Sequence, residues 1–80
     1  MIFKPITSEK AVKMIDIDNT LLFEIERKSR KTELKKEFES TFNVKVQKVR
    51  TLITHNKKYA YIKLKKENPA INLATRLGMI

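Results

Sequence analysis

The chain has 80 residues and no cysteine, so we expect a single domain over residues 1–80, without disulfides or thiolate metal sites. Its 18 Lys or Arg outnumber nine acidic residues and leave a net charge of +9, which favours a polyanionic partner such as nucleic acid. No apolar run approaches the roughly 20 residues that cross a bilayer, and no signal peptide is recognisable, so we expect a soluble intracellular protein.

The first third of the chain predicts a helix followed by a strand. Residues 8–16 carry apolar side chains at helical spacing, and Thr7 or Ser8 can cap the N-terminus of that helix. Residues 20–26 alternate between apolar and polar side chains, which is typical of a strand with one buried face. We expect that face to carry Leu21, Phe23 and Ile25.

A basic connector at residues 27–31 leads into a second predicted helix, capped by Thr32 and running to about residue 42. Apolar residues recur every four positions in it and form a stripe for the core. Asn43 suits the left-handed conformation that ends a helix. The stripe consists of Leu34, Phe38 and Phe42.

Two further strands and a last helix complete the pattern. Residues 44–54 alternate with a change of phase, which a bulge near Gln47-Lys48 would explain. A turn at residues 55–58 leads into a strand at 59–65. We expect the inner face of that strand to carry Ala60, Ile62 and Leu64.

Asn68 and Pro69 predict the start of the last helix, with Asn68 as its cap and Gly78 as its end. Its predicted inner face consists of Ile71, Ala74 and Leu77. The order helix–strand–helix–strand–strand–helix favours an α+β fold, in which short helices pack on an antiparallel sheet as in the ferredoxin-like α/β plait.

The segment from Ser40 to Lys66 holds eight Lys or Arg and no acidic residue. One predicted face of its last strand mixes aromatic and ammonium groups, a combination on which RNA bases stack while lysines hold phosphates. Alternatively, the tyrosines cover the sheet and the lysines pair across strands with Glu24 and Glu26. The face in question carries Tyr59, Tyr61, Lys63 and Lys65.

The connector supplies a second basic cluster. Six of the ten residues from Arg27 to Lys36 are Lys or Arg, and they lie just before or within the first turns of a helix, where backbone N–H groups also attract phosphate. A solvated loop without a ligand would more often include acidic residues. We therefore interpret the connector as a phosphate-binding segment.

No catalytic constellation can be assembled from the sequence. His55 is the only histidine and lies in a predicted turn, and there is no Gly-rich phosphate loop. We expect no enzyme, no cofactor and no metal. A small nucleic-acid-processing enzyme on a ferredoxin-like fold is the alternative, and it would need a pair of carboxylates or histidines in a pocket. A membrane-surface protein would need helices with a strongly basic polar face, and the first helix is mixed.

Several segments, in order, resemble the universal large-subunit ribosomal protein L23 family. Pro5 to Ala11, PITSEKA, is similar to the family's P-x-x-[TS]-E-K-A signature. Residues 19–31 resemble its first long strand and basic connector, and residues 32–51 its helix and the strand that ends in V-x-x-V-N-T. Residues 57–62 resemble its K-K-A-Y-V strand, and residues 68–80 the short C-terminal helix of archaeal members.

The resemblance implies a partner and a place in the cell. Family members bind large-subunit rRNA at the mouth of the polypeptide exit tunnel in the cytoplasmic ribosome, beside another small ribosomal protein. They also help to dock the signal recognition particle, and the docking glutamate of the S-E-K motif corresponds to Glu9. The short turn, which replaces the long bacterial hairpin loop, and the missing eukaryotic N-terminal extension both indicate the archaeal type.

The resemblance, with the charge pattern, predicts a structural protein of the large subunit that is monomeric within the ribosome and has no membrane partner. Arg50 stands where the family has the asparagine of V-N-T, so a guanidinium replaces an amide there. The residues predicted to contact RNA are Lys4, Thr7, Lys10, Arg27, Lys28, Arg30, Lys31, Arg50, Lys57, Lys58 and Tyr59.

Overall fold

A computed structural model describes residues 3–79 and contains a four-stranded antiparallel sheet with three helices. The predicted α+β class is confirmed, and so is the order of the six predicted elements. A two-residue strand at the N-terminus is added. The elements are β1 (Lys4–Pro5), α1 (Glu9–Asp18), β2 (Thr20–Ile25), α2 (Lys31–Phe42), β3 (Val46–Thr54), β4 (Lys57–Leu64) and α3 (Ala70–Arg76).

The strands lie in the order β1-β2-β4-β3, and every neighbouring pair is antiparallel. Because β4 lies between β2 and β3, the helix α2 that connects those two strands crosses over β4. The register of β3 against β4 shifts between Val46 and Lys48, which confirms the predicted bulge. Strand β3 forms one edge of the sheet.

The hydrophobic core fills one face of the sheet, beneath α2 and α3. The predicted inner faces of β2 and β4 are confirmed, since all six of their apolar residues are buried. Phe38 of α2 is fully buried, and its ring packs against those of Phe3, Phe23 and Phe42 with centroids 4.6–5.4 Å away. Such tilted and edge-to-face contacts add to the free energy gained from burying apolar area.

Helix α1 lies against the opposite face of the sheet. Its last residue, Asp18, contacts Thr20 and Lys63, whose side chains both point to that face. Earlier in the helix, Met14 borders a depression together with Tyr61. The sheet therefore has helices on both sides. No helix within residues 3–79 is long and apolar enough to cross a membrane.

Asparagine and histidine make the tight turns of a chain with a single glycine. Asn19 and Asn43 end α1 and α2 in the left-handed conformation, as Asn often does. Ser8 caps α1, since its hydroxyl oxygen accepts a hydrogen bond from Ala11 N–H. The β3–β4 turn consists of His55 and Asn56 alone, both at positive φ, which matches the right-handed twist of a two-residue hairpin.

Three helix boundaries differ from the predictions. Helix α1 runs from Glu9 to Asp18 and so ends two residues later than predicted. Helix α2 begins at Lys31 after Arg30, so Thr32 is not its cap. Helix α3 begins only at Ala70, because the side chain of Asn68 is occupied elsewhere: its Oδ1 accepts a hydrogen bond from Lys45 N–H at 2.7 Å.

The inner face of α3 agrees with the prediction only in part. Ile71, predicted to point inward, is 46% exposed, whereas Ala74 is fully buried and Leu77 is half-buried against the core. The small residues at positions 70 and 74 let the helix approach the sheet closely. The buried residues of α3 are Ala70, Leu73 and Ala74.

Candidate nucleic-acid interface

The basic connector between β2 and α2 is held in place by one residue. Ser29 is buried, and its N–H donates to the carbonyl of Glu26 at 3.1 Å. The carbonyl of Ser29 accepts a hydrogen bond of 2.6 Å from Nζ of Lys58. The residues on either side of Ser29 are exposed, so the connector presents its charges to solvent. These exposed residues are Arg27, Lys28, Arg30 and Lys31.

The Lys58–Ser29 hydrogen bond also brings the connector beside the β3–β4 turn. Lys58 lies opposite Ile25 in the register of β2 and β4, and Lys57 is exposed one residue closer to the turn. Five predicted RNA-contact residues from two distant segments are thus gathered at one end of the sheet. We call this group the basic end: Arg27, Lys28, Arg30, Lys31 and Lys57.

Lys58 itself is half-buried on the core side of the sheet, and its ammonium group is engaged with the carbonyl of Ser29. Burying the stem of a lysine while its head reaches a polar partner is common for this side chain. The position of Lys58 therefore supports the connector. Whether the same ammonium also contacts RNA stays a prediction.

A second group of basic residues lies on the face that carries the tyrosines. The guanidinium of Arg50 lies 5.4 Å from the centroid of the Tyr61 ring. Lys48 and Lys63 are direct cross-strand neighbours, and Nζ of Lys63 lies 3.1 Å from a carboxylate oxygen of Asp18. This lysine therefore pairs with the end of α1 and not with Glu24 or Glu26, as the alternative interpretation required.

The contact with Lys63 controls the ionisation of Asp18. The hydrogen bond from Lys63 and then its positive charge lower the pKa of the Asp18 carboxyl, and the hydroxyl of Thr20 contributes in the same direction. A charged carboxylate in turn holds the ammonium of Lys63 at a defined position. The group borders a depression of about 210 Å³ lined by Asp18, Thr20, Lys48, Arg50, Tyr61 and Lys63.

The remaining predicted RNA-contact residues are spread along the N-terminal segment and the middle of the sheet. Lys4 is exposed on β1 opposite Glu24, and Tyr59 is half-buried on the other side of Glu24. Thr7 is exposed just before α1. Lys10 borders a second depression, the one that Met14 and Tyr61 also line. The structure does not bring these four into one cluster.

Glu9, the predicted docking residue, is exposed in the first turn of α1. Its carboxylate lies 3.6 Å from Nζ of Lys13, one turn later, and both side chains are largely in solvent. An exposed pair of this kind contributes little to stability, so the carboxylate is free to meet another molecule.

The predicted RNA contacts did not include Lys48, and Lys63 was named only as part of the mixed aromatic and basic face of the last strand. The signal that could have found Lys48 is the bulge, since the change of phase after Val46 places Lys48 and Arg50 on the face opposite the buried Val46. Cross-strand pairing then sets Lys48 opposite Lys63. His55 is exposed in its turn, and no group of three metal-ligating side chains occurs within residues 3–79.

The fold and its exposed Lys and Arg residues define a small, basic α+β protein. The chain matches the family model described as "Ribosomal protein L23" over residues 1–72, and it belongs to that family. Members of this family are structural proteins of the ribosome, so the chain is not an enzyme.

Two relatives illustrate the similarity. The chain is 44% identical over 80 residues to the "Large ribosomal subunit protein uL23" of the archaeon Methanothermobacter thermautotrophicus, covering 99% of this chain and 93% of the relative. It is also 44% identical over 78 residues to the protein of the same name from Tetrahymena thermophila. That alignment covers 95% of this chain but 51% of the relative, so the chain spans about half the length of the Tetrahymena protein.

Proposed function

We propose that this protein is a structural constituent of the large ribosomal subunit that binds folded rRNA with its basic end. The observation that carries the proposal is the hydrogen bond from Lys58 to Ser29, which holds the connector beside the β3–β4 turn. Five exposed cations are therefore gathered before RNA arrives, and less conformational freedom is lost on binding.

The mechanism is electrostatic. Each Lys or Arg that approaches a phosphate releases condensed counterions from the RNA, which favours binding whatever the base sequence. Arginine adds geometric selectivity, because its planar guanidinium can donate two parallel hydrogen bonds to one phosphate. The connector and the β3–β4 hairpin present these groups at one end of the sheet, and the folded shape of the rRNA then selects the position of the protein.

We further propose a position at the mouth of the polypeptide exit tunnel of the cytoplasmic ribosome, beside another small ribosomal protein. Membership of the L23 family supports this position. Leu52 and Ile53 on the edge strand β3 are 47% and 55% exposed, and exposed apolar side chains on an edge strand suit contact with a neighbouring protein. Glu9 would meet a docking factor such as the signal recognition particle.

The RNA-binding proposal can be tested by salt titration. We expect replacement of Arg27, Lys28, Arg30 and Lys31 by Gln to weaken binding to deproteinised large-subunit rRNA isolated from the same cells. The slope of log affinity against log salt concentration should shrink by roughly one for each lost phosphate contact. Filter binding from low to high KCl concentration measures both quantities.

A matched control removes four positive charges from other positions on the surface. The exposed residues Lys13, Lys65, Lys66 and Arg76 lie outside the basic end, so their replacement by Gln should change the slope much less. Equal slopes for the two quadruple variants would show that net charge alone binds the RNA. That result would contradict the assignment of the basic end as the interface.

A further inference from the structure

The depression of about 210 Å³ beside Asp18 and Arg50 gathers three positively charged side chains that do not contribute to the core. Lys48, Arg50 and Lys63 surround it with Asp18 as the one carboxylate, so its lining carries a net charge of +2. Lys48 and Lys63 stand directly opposite each other, and like charges at such a position destabilise a sheet. An anion held between them would remove that repulsion.

Two of the three cations are already oriented. Asp18 holds Nζ of Lys63 at 3.1 Å, and Asp18 is itself fixed by the hydroxyl of Thr20 at 3.2 Å. The third cation, Lys48, is exposed, and its side chain forms no hydrogen bond or ion pair within residues 3–79. In the depression, the ammonium group of Lys48 can therefore move, whereas that of Lys63 is held by Asp18.

Arg50 is the second oriented cation. Its guanidinium stacks over Tyr61, which limits its rotamers but leaves the N–H groups at its edge available to an acceptor. A guanidinium positioned in this way suits bidentate hydrogen bonding to a phosphate. The neutral hydroxyl of Thr20 completes a lining that favours oxygen atoms over apolar ligands.

We propose that this depression binds a phosphodiester group of the RNA backbone, as a second RNA contact separate from the basic end. The proposal rests on the proposed function, since it assigns a further contact to the same RNA-binding protein. Lys48, Arg50 and Lys63 hold the phosphate oxygens, and Asp18 is a positioning residue that acts through Lys63.

The distance between the two contacts fits one continuous RNA surface. Lys57 of the basic end and Lys63 of the depression lie on the same face of β4, six residues apart, which corresponds to about 20 Å along a strand. Tyr59 and Tyr61 lie between them on that face. An RNA backbone segment that reaches both contacts would therefore pass beside α1, which lies against the same face and whose Lys10 borders Tyr61.

The test is the salt dependence of rRNA binding by the full chain. A double variant, Lys48→Gln with Arg50→Gln, should lower the slope of log affinity against log salt by roughly two if both residues contact phosphates. The single variant Lys48→Gln should lower it by roughly one, and it cannot disturb the fold through a lost partner because Lys48 has none within residues 3–79. Lys48→Arg keeps the charge and should restore the slope.

The control removes one exposed Lys and one exposed Arg elsewhere, Lys13→Gln with Arg76→Gln. If Lys48→Gln and the double variant have the slope of this control while the quadruple variant of the connector has a reduced slope, the second contact is wrong and the proposed function stands. If no variant differs from the control, the proposed function fails as well. A reduced slope for the depression variants that Lys48→Arg restores supports the phosphate contact.

Discussion

The side-chain oxygen of Asn19 accepts a hydrogen bond of 2.6 Å from the backbone N–H of Ala70, so the residue that ends α1 also caps α3. The Nδ2 group of the same side chain donates to the carbonyls of Leu64, Lys65 and Asn68 at 3.0–3.3 Å. One carboxamide therefore joins α1, the end of β4 and the start of α3. We expect this junction to be the most sensitive polar position in the fold.

Asn19→Ala should lower the free energy of unfolding by roughly 2–4 kcal/mol, because several partly buried backbone groups lose their partner and Ala fits the left-handed conformation poorly. Asn43→Ala is the matched control, since Asn43 has nearly the same φ of 53° but no side-chain hydrogen bond within residues 3–79. Urea unfolding measures both. Equal losses in the two variants would mean that backbone strain, and not the junction, explains the effect.

Phe38→Ala should cost on the order of 3–5 kcal/mol, because the side chain is fully buried against three other aromatic rings and its removal leaves a cavity. Phe42 is only half-buried at the end of the same stripe, so Phe42→Ala should cost clearly less. A loss below about 1 kcal/mol for Phe38→Ala would contradict its central place in the core.

The pairing of Asp18 with Lys63 predicts a pH dependence. The pKa of Asp18 is lowered in the folded protein, so the folded state binds fewer protons than the unfolded state at acidic pH. The stability from this pair is therefore present above the unfolded pKa of about 3.9 and is lost as the pH falls through the lower folded value.

NMR titration of the Asp18 carboxyl carbon should give a midpoint below the usual value. In the variant Lys63→Gln the midpoint should move back upward, because the first and second causes of the shift are both removed. A midpoint that does not move would show that Lys63 does not control this carboxyl.

Glu9→Lys should leave the fold and assembly into the subunit nearly unchanged. Glu9 is exposed, and its pair with Lys13 and its place at a helix N-terminus are each worth roughly 1 kcal/mol or less. Charge reversal should instead weaken the docking of the signal recognition particle to purified ribosomes, because exposed charges at the edge of an interface guide the approach of the partner. Sedimentation of the subunits should stay the same.

Glu33→Lys is the control for that experiment, since Glu33 is also an exposed acidic residue in the first turn of a helix. Normal docking with Glu9→Lys would make Glu9 irrelevant to the factor. Failure of the Glu9 variant to enter the subunit would instead make it a structural or RNA-facing residue.

Local patterns in the sequence were sufficient to predict most of the elements and their buried faces. The alternation in β2 and β4 identified six buried residues, because side chains point to opposite faces of a strand in turn. The phase change near Gln47 located the bulge, and Asn43 marked the end of α2. The basic connector could be recognised from the sequence because its Lys and Arg residues are adjacent in the chain.

Only the tertiary structure decided how distant segments meet. The strand order β1-β2-β4-β3, the Lys58–Ser29 hydrogen bond and the cap that Asn19 provides for α3 all join residues far apart in the chain. Ile71 was predicted to face inward and is exposed, whereas Ala74 and Leu77 of the same predicted face do pack against the core. The prediction that Asn68 caps α3 was wrong because Asn68 bonds to Lys45 instead. Periodicity reports only which side of an element is apolar, whereas the partner of each polar group depends on how the whole chain packs.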